Sequence, residues 1–168
     1  MTMTSPVRML TRYNAWANRV IFEAVGQLPE GEAVKPRQTL FRNMVHTLNH
    51  NYVIDLIWQA HLQGRPHGFS ARNTADHPPL AELWALQQTV DAWYIAWADE
   101  ASAQTLEEKV RFTFVGGGEG EMTREQMIVH VVNHTSYHRG FVGDMFCQLP
   151  LRPPTTDLPV FLRDAHPE

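Results

Sequence analysis

The stretch His130-Val131-Val132-Asn133-His134-Thr135-Ser136-Tyr137-His138-Arg139-Gly140 sets three histidines four residues apart inside an apolar, helix-patterned segment. Four residues is close to one helical turn, so at ~100° per residue these positions share one side of a helix, with Cβ atoms roughly 5–6 Å apart. Two imidazoles at that spacing can reach one metal ion. The helix carrying them has clear limits. Thr123 with Gln126 three residues on forms a capping box, and Leu149-Pro150 ends the pattern near Gln148.

Working outward, three more segments carry helical periodicity. From Pro6 to Leu28, residues such as Met9, Tyr13, Trp16, Ala17, Val20, Ile21 and Ala24 follow the i, i+3, i+4, i+7 rule, and Pro29 with Gly31 stops it. A second helix is predicted from Thr39 to Leu62, ending before Gly64 and Pro66. One side of it carries Phe41, Val45, Leu48, Tyr52 and Leu56; the other carries Asn43, His46, His50, Ile54, Ile57 and His61. Two partly apolar faces predict two neighbours, the bundle itself and a partner subunit. A third helix is predicted from Leu80 to Ala101, with Leu83, Gln87, Val90, Tyr94 and Trp97 aligned. Between the second and third, Arg65 to Pro79 is rich in Gly, Pro, Asn and Asp and reads as a loop able to cross the end of a bundle.

The run Val110-Arg111-Phe112-Thr113-Phe114 alternates apolar and polar residues and leads into Gly116-Gly117-Gly118-Glu119-Gly120, which predicts a small hairpin. A phosphate loop would need a Lys-Ser/Thr after the glycines and a βαβ setting, and neither is present. From Pro150 the tail is expected to pack across the outside through Leu158, Val160, Phe161 and Leu162. The expected fold is therefore all-α: a single domain over residues 1–168, a four-helix bundle with a long crossover after helix 2 and a small β-hairpin before helix 4. The crossover argues against the simplest up-down-up-down topology.

Composition narrows the function. With 168 residues, 43% of them hydrophobic, the chain can bury one ordinary core. A formal charge of −4 and only 14 Lys+Arg argue against a nucleic-acid surface or an anionic-membrane anchor, which leaves small molecules or a second copy as expected partners. A lone cysteine, Cys147, excludes an internal disulfide framework, and no apolar leader or span is apparent, so a cytoplasmic protein is expected.

On a helical wheel centred on His134, Met127, Val131, His138, Phe141 and Met145 fall within ~60°, which places His134 and His138 in the apolar stripe and pointing into the bundle. Buried side by side, two neutral imidazoles each need a donor and an acceptor satisfied; a shared metal satisfies both rings, and other side chains or water are the alternative. A third ligand must come from another helix, and His50 stands mid-way along the second. The expected metal ligands are His50, His134 and His138. His46 and His130 each lie one turn before a ligand, as a fourth ligand, a group behind one, or a polar edge residue. His61, His67, His77 and His166 are expected to be solvated.

Other chemistries lack their residues. No helical histidine follows a Glu by three, as a ferritin-like di-iron site needs, and no His-Glu-x-x-His is present. Ser136 lies ~200° from His134 on the wheel, which disfavours a Ser/His nucleophile pair. Cys147 near a helix C-terminus lacks the dipole that would favour a thiolate.

The chain resembles the DinB family of bacterial damage-inducible proteins. The resemblance rests on Tyr13-Asn14-Ala15-Trp16-Ala17-Asn18, Thr47-Leu48-Asn49-His50 and Asn133-His134-Thr135-Ser136-Tyr137-His138-Arg139-Gly140. It implies a four-helix bundle, often a homodimer, that binds a divalent metal through one His of the second helix and a His-x-x-x-His of the fourth, here His50, His134 and His138. Where the family motif usually continues with Gln, this chain has Phe141. Members of the wider superfamily are thiol-dependent transferases and isomerases, which implies a small-molecule substrate and a low-molecular-weight thiol as partners. Three neutral imidazoles leave a divalent ion with open coordination positions, an arrangement typical of catalytic sites. The expected function is a metal-dependent hydrolase or thiol S-transferase using zinc or nickel, with iron a third option, and the alternative is a non-catalytic metal-binding stress-response protein.

Overall fold

In the computed structural model, which describes residues 6–166, the chain forms α1 (Pro6–Gly26), α2 (Met44–Leu62), α3 (Leu80–Glu100), the short α4 (Ala103–Glu107), β1 (Lys109–Thr113), β2 (Glu119–Thr123), α5 (Arg124–Cys147) and α6 (Leu158–Asp164). The four long helices close into a ring in which α1 packs on α3 and α5, and α2 packs on α3 and α5. The expected all-α bundle with a hairpin before its last long helix is what forms.

Side-chain pairings fix the helix directions. Arg8 at the start of α1 donates to the carbonyls of Ala98 and Asp99 at the end of α3, so these two run antiparallel. One core cluster joins the ends of α1 and α5 (Ile21, Phe22, Val142, Met145) with the starts of α2 and α3 (Met44, Val45, Leu83). A second joins the ends of α2 and α3 (Ile57, Trp58, Tyr94, Ala98) with the start of α5 (Met127, Ile128). The order is therefore up, down, down, up. Parallel neighbours α2 and α3 need a connection that returns the length of the bundle, which is the physical reason for the long loop over residues 63–79.

Several boundaries depart from the sequence expectation. The second helix starts at Met44 and not at Thr39, because Asn43 is an extended N-cap whose side chain accepts from the His46 amide at 2.7 Å and Arg42 sits at φ +68°. Phe41 thus lies outside the helix. Its second apolar face is covered by its own chain: Ile54, Ile57 and Trp58 pack in one cluster with Phe112, Met127 and Val131. Among the described residues of the tail only Phe161 is buried, against Tyr13 and Trp16, while Leu158 and Val160 are half-buried and Leu162 is exposed. A single short helix presents one face, so only one of the four expected anchors reaches the core.

The capping box at α5 forms as the sequence predicts. Thr123 Oγ1 accepts from the Gln126 amide at 3.2 Å, and Gln126 Oε1 accepts from the Thr123 amide at 2.9 Å. The hairpin turn uses Gly117 and Gly118, both at φ +90°, where a side chain would be strained. Phe112 lies over its cross-strand partner Gly120, so closely that an added Cβ would meet the ring at 2.5 Å, and its other side packs on Trp58 at 4.9 Å. The hairpin is thereby pinned to the end of α2.

Between the two apolar clusters runs a polar layer that hydropathy did not anticipate. Asn14, Asn18, Asp55, Gln87, Asp91, Thr135 and Arg139 are all buried. Since Thr135 and Arg139 face the core, the buried arc of α5 is centred roughly a quarter turn from His134. His134 is therefore at the margin and half-buried rather than in the middle of the stripe, while His138 is buried.

Candidate metal centre

The three histidines expected to act together converge from two antiparallel helices. His50 Nε2 lies 3.1 Å from His134 Nε2 and 3.2 Å from His138 Nε2. Two nitrogens held about 2.1 Å from one ion at a near-tetrahedral angle are roughly 3.3 Å apart, so these separations match a shared ion. The turn-to-turn spacing of α5 brings His134 and His138 together, with ring centroids 4.5 Å apart, and the crossing of α2 supplies the third ring.

Proton arithmetic supports the same fit. His50 Nδ1 donates to the Arg72 carbonyl at 2.6 Å, which leaves Nε2 with one lone pair. One lone pair accepts one in-line proton, yet two imidazole nitrogens face it. A divalent cation accepts a lone pair from all three rings at once, and the donor set could hold one.

Burial keeps the rings neutral and ready to donate. Desolvation is the largest cause that pushes His50 down to about 4 and His134 down to about 3, with neighbouring imidazoles and the nearby Arg72 charge adding to it; His138 is lowered by desolvation. Aromatic rings fix the imidazole planes. Phe41 stacks on His50 at 4.2 Å, and Phe141, the residue where the family motif usually has Gln, stacks on His138 at 5.7 Å.

The crossover loop is part of the site. Asn49, next to His50, donates to Asn73 Oδ1 and Thr74 Oγ1, both at 2.7 Å, and Asn73 donates back to the His46 carbonyl at 3.1 Å. This clasp presents the Arg72 carbonyl to His50. The roles of Asn49, Asn73, Arg72 and Phe41 were not read from the sequence; the one available signal was a polar Asn49 beside His50, since an aperiodic loop offers none.

The remaining histidines separate cleanly from the three. His46 Nε2 pairs with the Thr74 carbonyl at 2.8 Å, and His130 packs against Trp58 with the rings tilted at 56° and their centroids 4.6 Å apart, so both stand outside the converging nitrogens. His61, His67, His77 and His166 are half-buried rather than solvated. The returning loop and the hairpin cover the first two, with His61 5.1 Å from Phe112 and the Phe69 amide donating to His67 Nδ1. Asn43 and the Pro78 carbonyl flank His77, and Phe161 covers His166.

A profile of the DinB family matches residues 3–168. The chain belongs to the DinB family. It is 26% identical over 159 residues to the Protein DinB of Bacillus subtilis (strain 168), a match that covers 91% of each chain. Two of the three motifs that carried the resemblance to DinB proteins hold ligand candidates. The third, in α1, does different work: Asn14 and Asn18 accept from Arg139 at 2.7 and 2.8 Å.

That contact belongs to the buried polar layer. Asn18 also donates to the Asp91 carboxylate at 3.1 Å, so its amide links a buried cation to a buried anion. Gln87 donates to Asp55 at 2.9 Å and to Asp91 at 3.0 Å. Burial raises Asp55 to about 8, with Asp91 adding repulsion, and raises Asp91 to about 6. At neutral pH the layer therefore holds a protonated Asp55, a largely ionised Asp91 and the Arg139 guanidinium.

Alongside His134, the one of the three imidazoles that reaches it, lies a cavity of about 250 Å³. Ile54, Ile57 and Trp58 form its apolar wall, His134 and His130 its inner side, and Phe114 with Arg72 its rim. Among the described residues, no acidic one lines it. Among the described residues, no helix is long and apolar enough to cross a membrane.

Proposed function

We propose that His50, His134 and His138 hold a divalent ion, zinc or nickel with iron as a third option, and that the protein is a metal-dependent hydrolase or thiol S-transferase acting on a small electrophile. The convergence of three neutral Nε2 atoms at 3.1–3.2 Å carries this reading. A bound ion of this kind lowers the pKa of a coordinated water or thiol toward neutrality. The chain supplies orientation and shelter: the Arg72 carbonyl sets the His50 tautomer, Phe41 and Phe141 hold the ring planes, and Trp58 with Ile57 excludes water from one side.

A second reading, non-catalytic metal binding in a stress response, is favoured by one observation. Among the described residues no carboxylate lines the cavity, so none of them is placed there as a carboxylate general base. The reaction would then depend on the ion and an incoming thiol alone. We also propose a cytoplasmic homodimer, with a low-molecular-weight thiol as the second partner; exposed Val129 and Tyr137 on one side of α5 support the pairing of copies, and the lone Cys147 fits a reducing compartment.

The test has two steps. Metal analysis of the purified protein should return one ion per chain, lost in His50→Ala and His134→Ala; equal content in both variants rejects the site. Metal-dependent consumption of a thiol with a model electrophile such as 1-chloro-2,4-dinitrobenzene, or metal-dependent ester hydrolysis, then selects the enzyme over the binder.

A further inference from the structure

We propose that the cavity beside His134 binds a small organic carboxylate with an apolar or aromatic body, the carboxylate held by Arg72. This deepens the reading above and rests on it only for the end of the ligand that meets His134; the role of Arg72 stands on separate observations.

Charge is the first of these. Arg72 lies at the rim of the cavity, and among the described residues no carboxylate is within ion-pair distance of it. Among the described residues, no other Arg or Lys and no Asp or Glu lines the cavity, so the guanidinium is the one permanent charge there facing this space. A guanidinium is a planar fork of donors matched to a carboxylate, and next to low-dielectric walls its field is less screened than in open water.

Position is the second. The guanidinium is seated over the hairpin turn, with Nη2 3.5 Å from where a Cβ on Gly116 would stand, so the turn leaves room for it. Its own carbonyl is tied to His50 Nδ1 at 2.6 Å, and the adjoining residues are clasped to α2 through Asn49. The loop backbone that carries the cation is thus anchored to the same helix that carries a candidate ligand of the ion.

Shape and lining supply the ligand's body. At about 250 Å³ the cavity is smaller than the roughly 300–1,000 Å³ of pockets that take drug-sized molecules. Ile54, Ile57 and Trp58 offer one apolar wall and Phe114, partly exposed, offers the other. A carboxylate at the rim would leave the ligand's body between these walls, with its far end directed at His134.

Calorimetric titration of the metal-loaded protein with benzoate, its uncharged isostere benzamide, and inorganic phosphate tests the proposal. Benzoate should bind roughly tenfold or more tightly than benzamide, and R72Q should weaken benzoate by about tenfold while keeping the wild-type metal content. R72Q leaves the backbone carbonyl that orients His50 in place. F114S, altering a partly exposed side chain, should weaken benzoate several-fold. Benzamide binding as tightly as benzoate, R72Q binding benzoate as wild type does, or phosphate binding more tightly than benzoate would each overturn it. The same titrations on chelator-treated protein separate the two readings. Failure of the wild type to hold metal rejects the metal centre alone, and the Arg72 dependence of benzoate binding still decides this proposal.

Discussion

Two polar clusters lie side by side on α5, Thr135 and Arg139 in one, His134 and His138 in the other, and they find their partners in different ways. The Arg139 guanidinium donates to Asn14, Asn18 and Ser136, and Asn18 and Gln87 carry hydrogen bonds on to Asp91 and Asp55. The chain supplies most of that cluster's partners from its own residues across all four long helices, leaving Arg139 Nε and Gln87 Oε1 without one. In the histidine cluster three ring nitrogens face one another, and a single lone pair on His50 must meet two neighbours. The first cluster is built for stability and specificity of packing; the second has the donor set that could hold an ion, the reading proposed above.

The largest effect separating them should come from Arg139→Met. Removing the cation strands Asp91 and three oxygen acceptors in the core, and a loss of about 3–5 kcal/mol is expected in denaturant unfolding. By contrast His134→Leu, assayed without metal, should change stability by about 1 kcal/mol or less or raise it, since it deletes a crowded polar atom at a half-buried position. Equal losses in the two variants would erase the distinction between the clusters.

pH should act next most strongly, and on the carboxyl cluster. Asp55 and Asp91 hold protons in the folded state up to about 8 and about 6, whereas the unfolded chain releases them near pH 4. The folded state binds more protons across that window, so the stability these groups contribute is full below about pH 4 and is lost as pH rises towards 8, by a few kcal/mol. Asp55→Asn should flatten this slope in urea midpoints measured from pH 5 to pH 8. A wild-type slope that survives the substitution would reassign the titration.

Metal sharpens the comparison from the other side. At a free zinc or nickel concentration about 100-fold above its Kd, thermal unfolding should show about 2.7 kcal/mol of added stability in the wild type and in Asp55→Asn, and none in His134→Leu. The smallest effect should be His130→Gln. It leaves metal content unchanged and shifts stability by about 1 kcal/mol or less, because His130 lies outside the converging nitrogens and contributes a tilted ring contact with Trp58.

Legibility followed the kind of signal each element carries. The start of α5 was readable because Thr123 and Gln126 form a local, reciprocal cap, and the hairpin because its glycines punctuate an alternating run. The start of α2 was misplaced because helical periodicity extends back through Phe41, whereas the decisive group is one Asn43 side chain. The depth of His134 was misjudged for a related reason. A wheel that ranks residues by hydropathy assigns Thr135 and Arg139 to the surface, and no count along one helix shows that Asn14, Asn18 and Asp91 wait on two others.

By itself the sequence determined the bundle class, the hairpin and the long crossover, because periodicity, caps and turn residues act over a few neighbours, and it offered His50, His134 and His138 as candidate ligands. Only the tertiary structure decided that α2 and α3 run parallel, that the crossover backbone orients His50, that Arg72 faces a cavity without carboxylates, and that an arginine is buried one residue from a candidate ligand. Those outcomes depend on groups far apart in the chain, whose charges and lone pairs are matched, or left for a ligand, only when four helices meet.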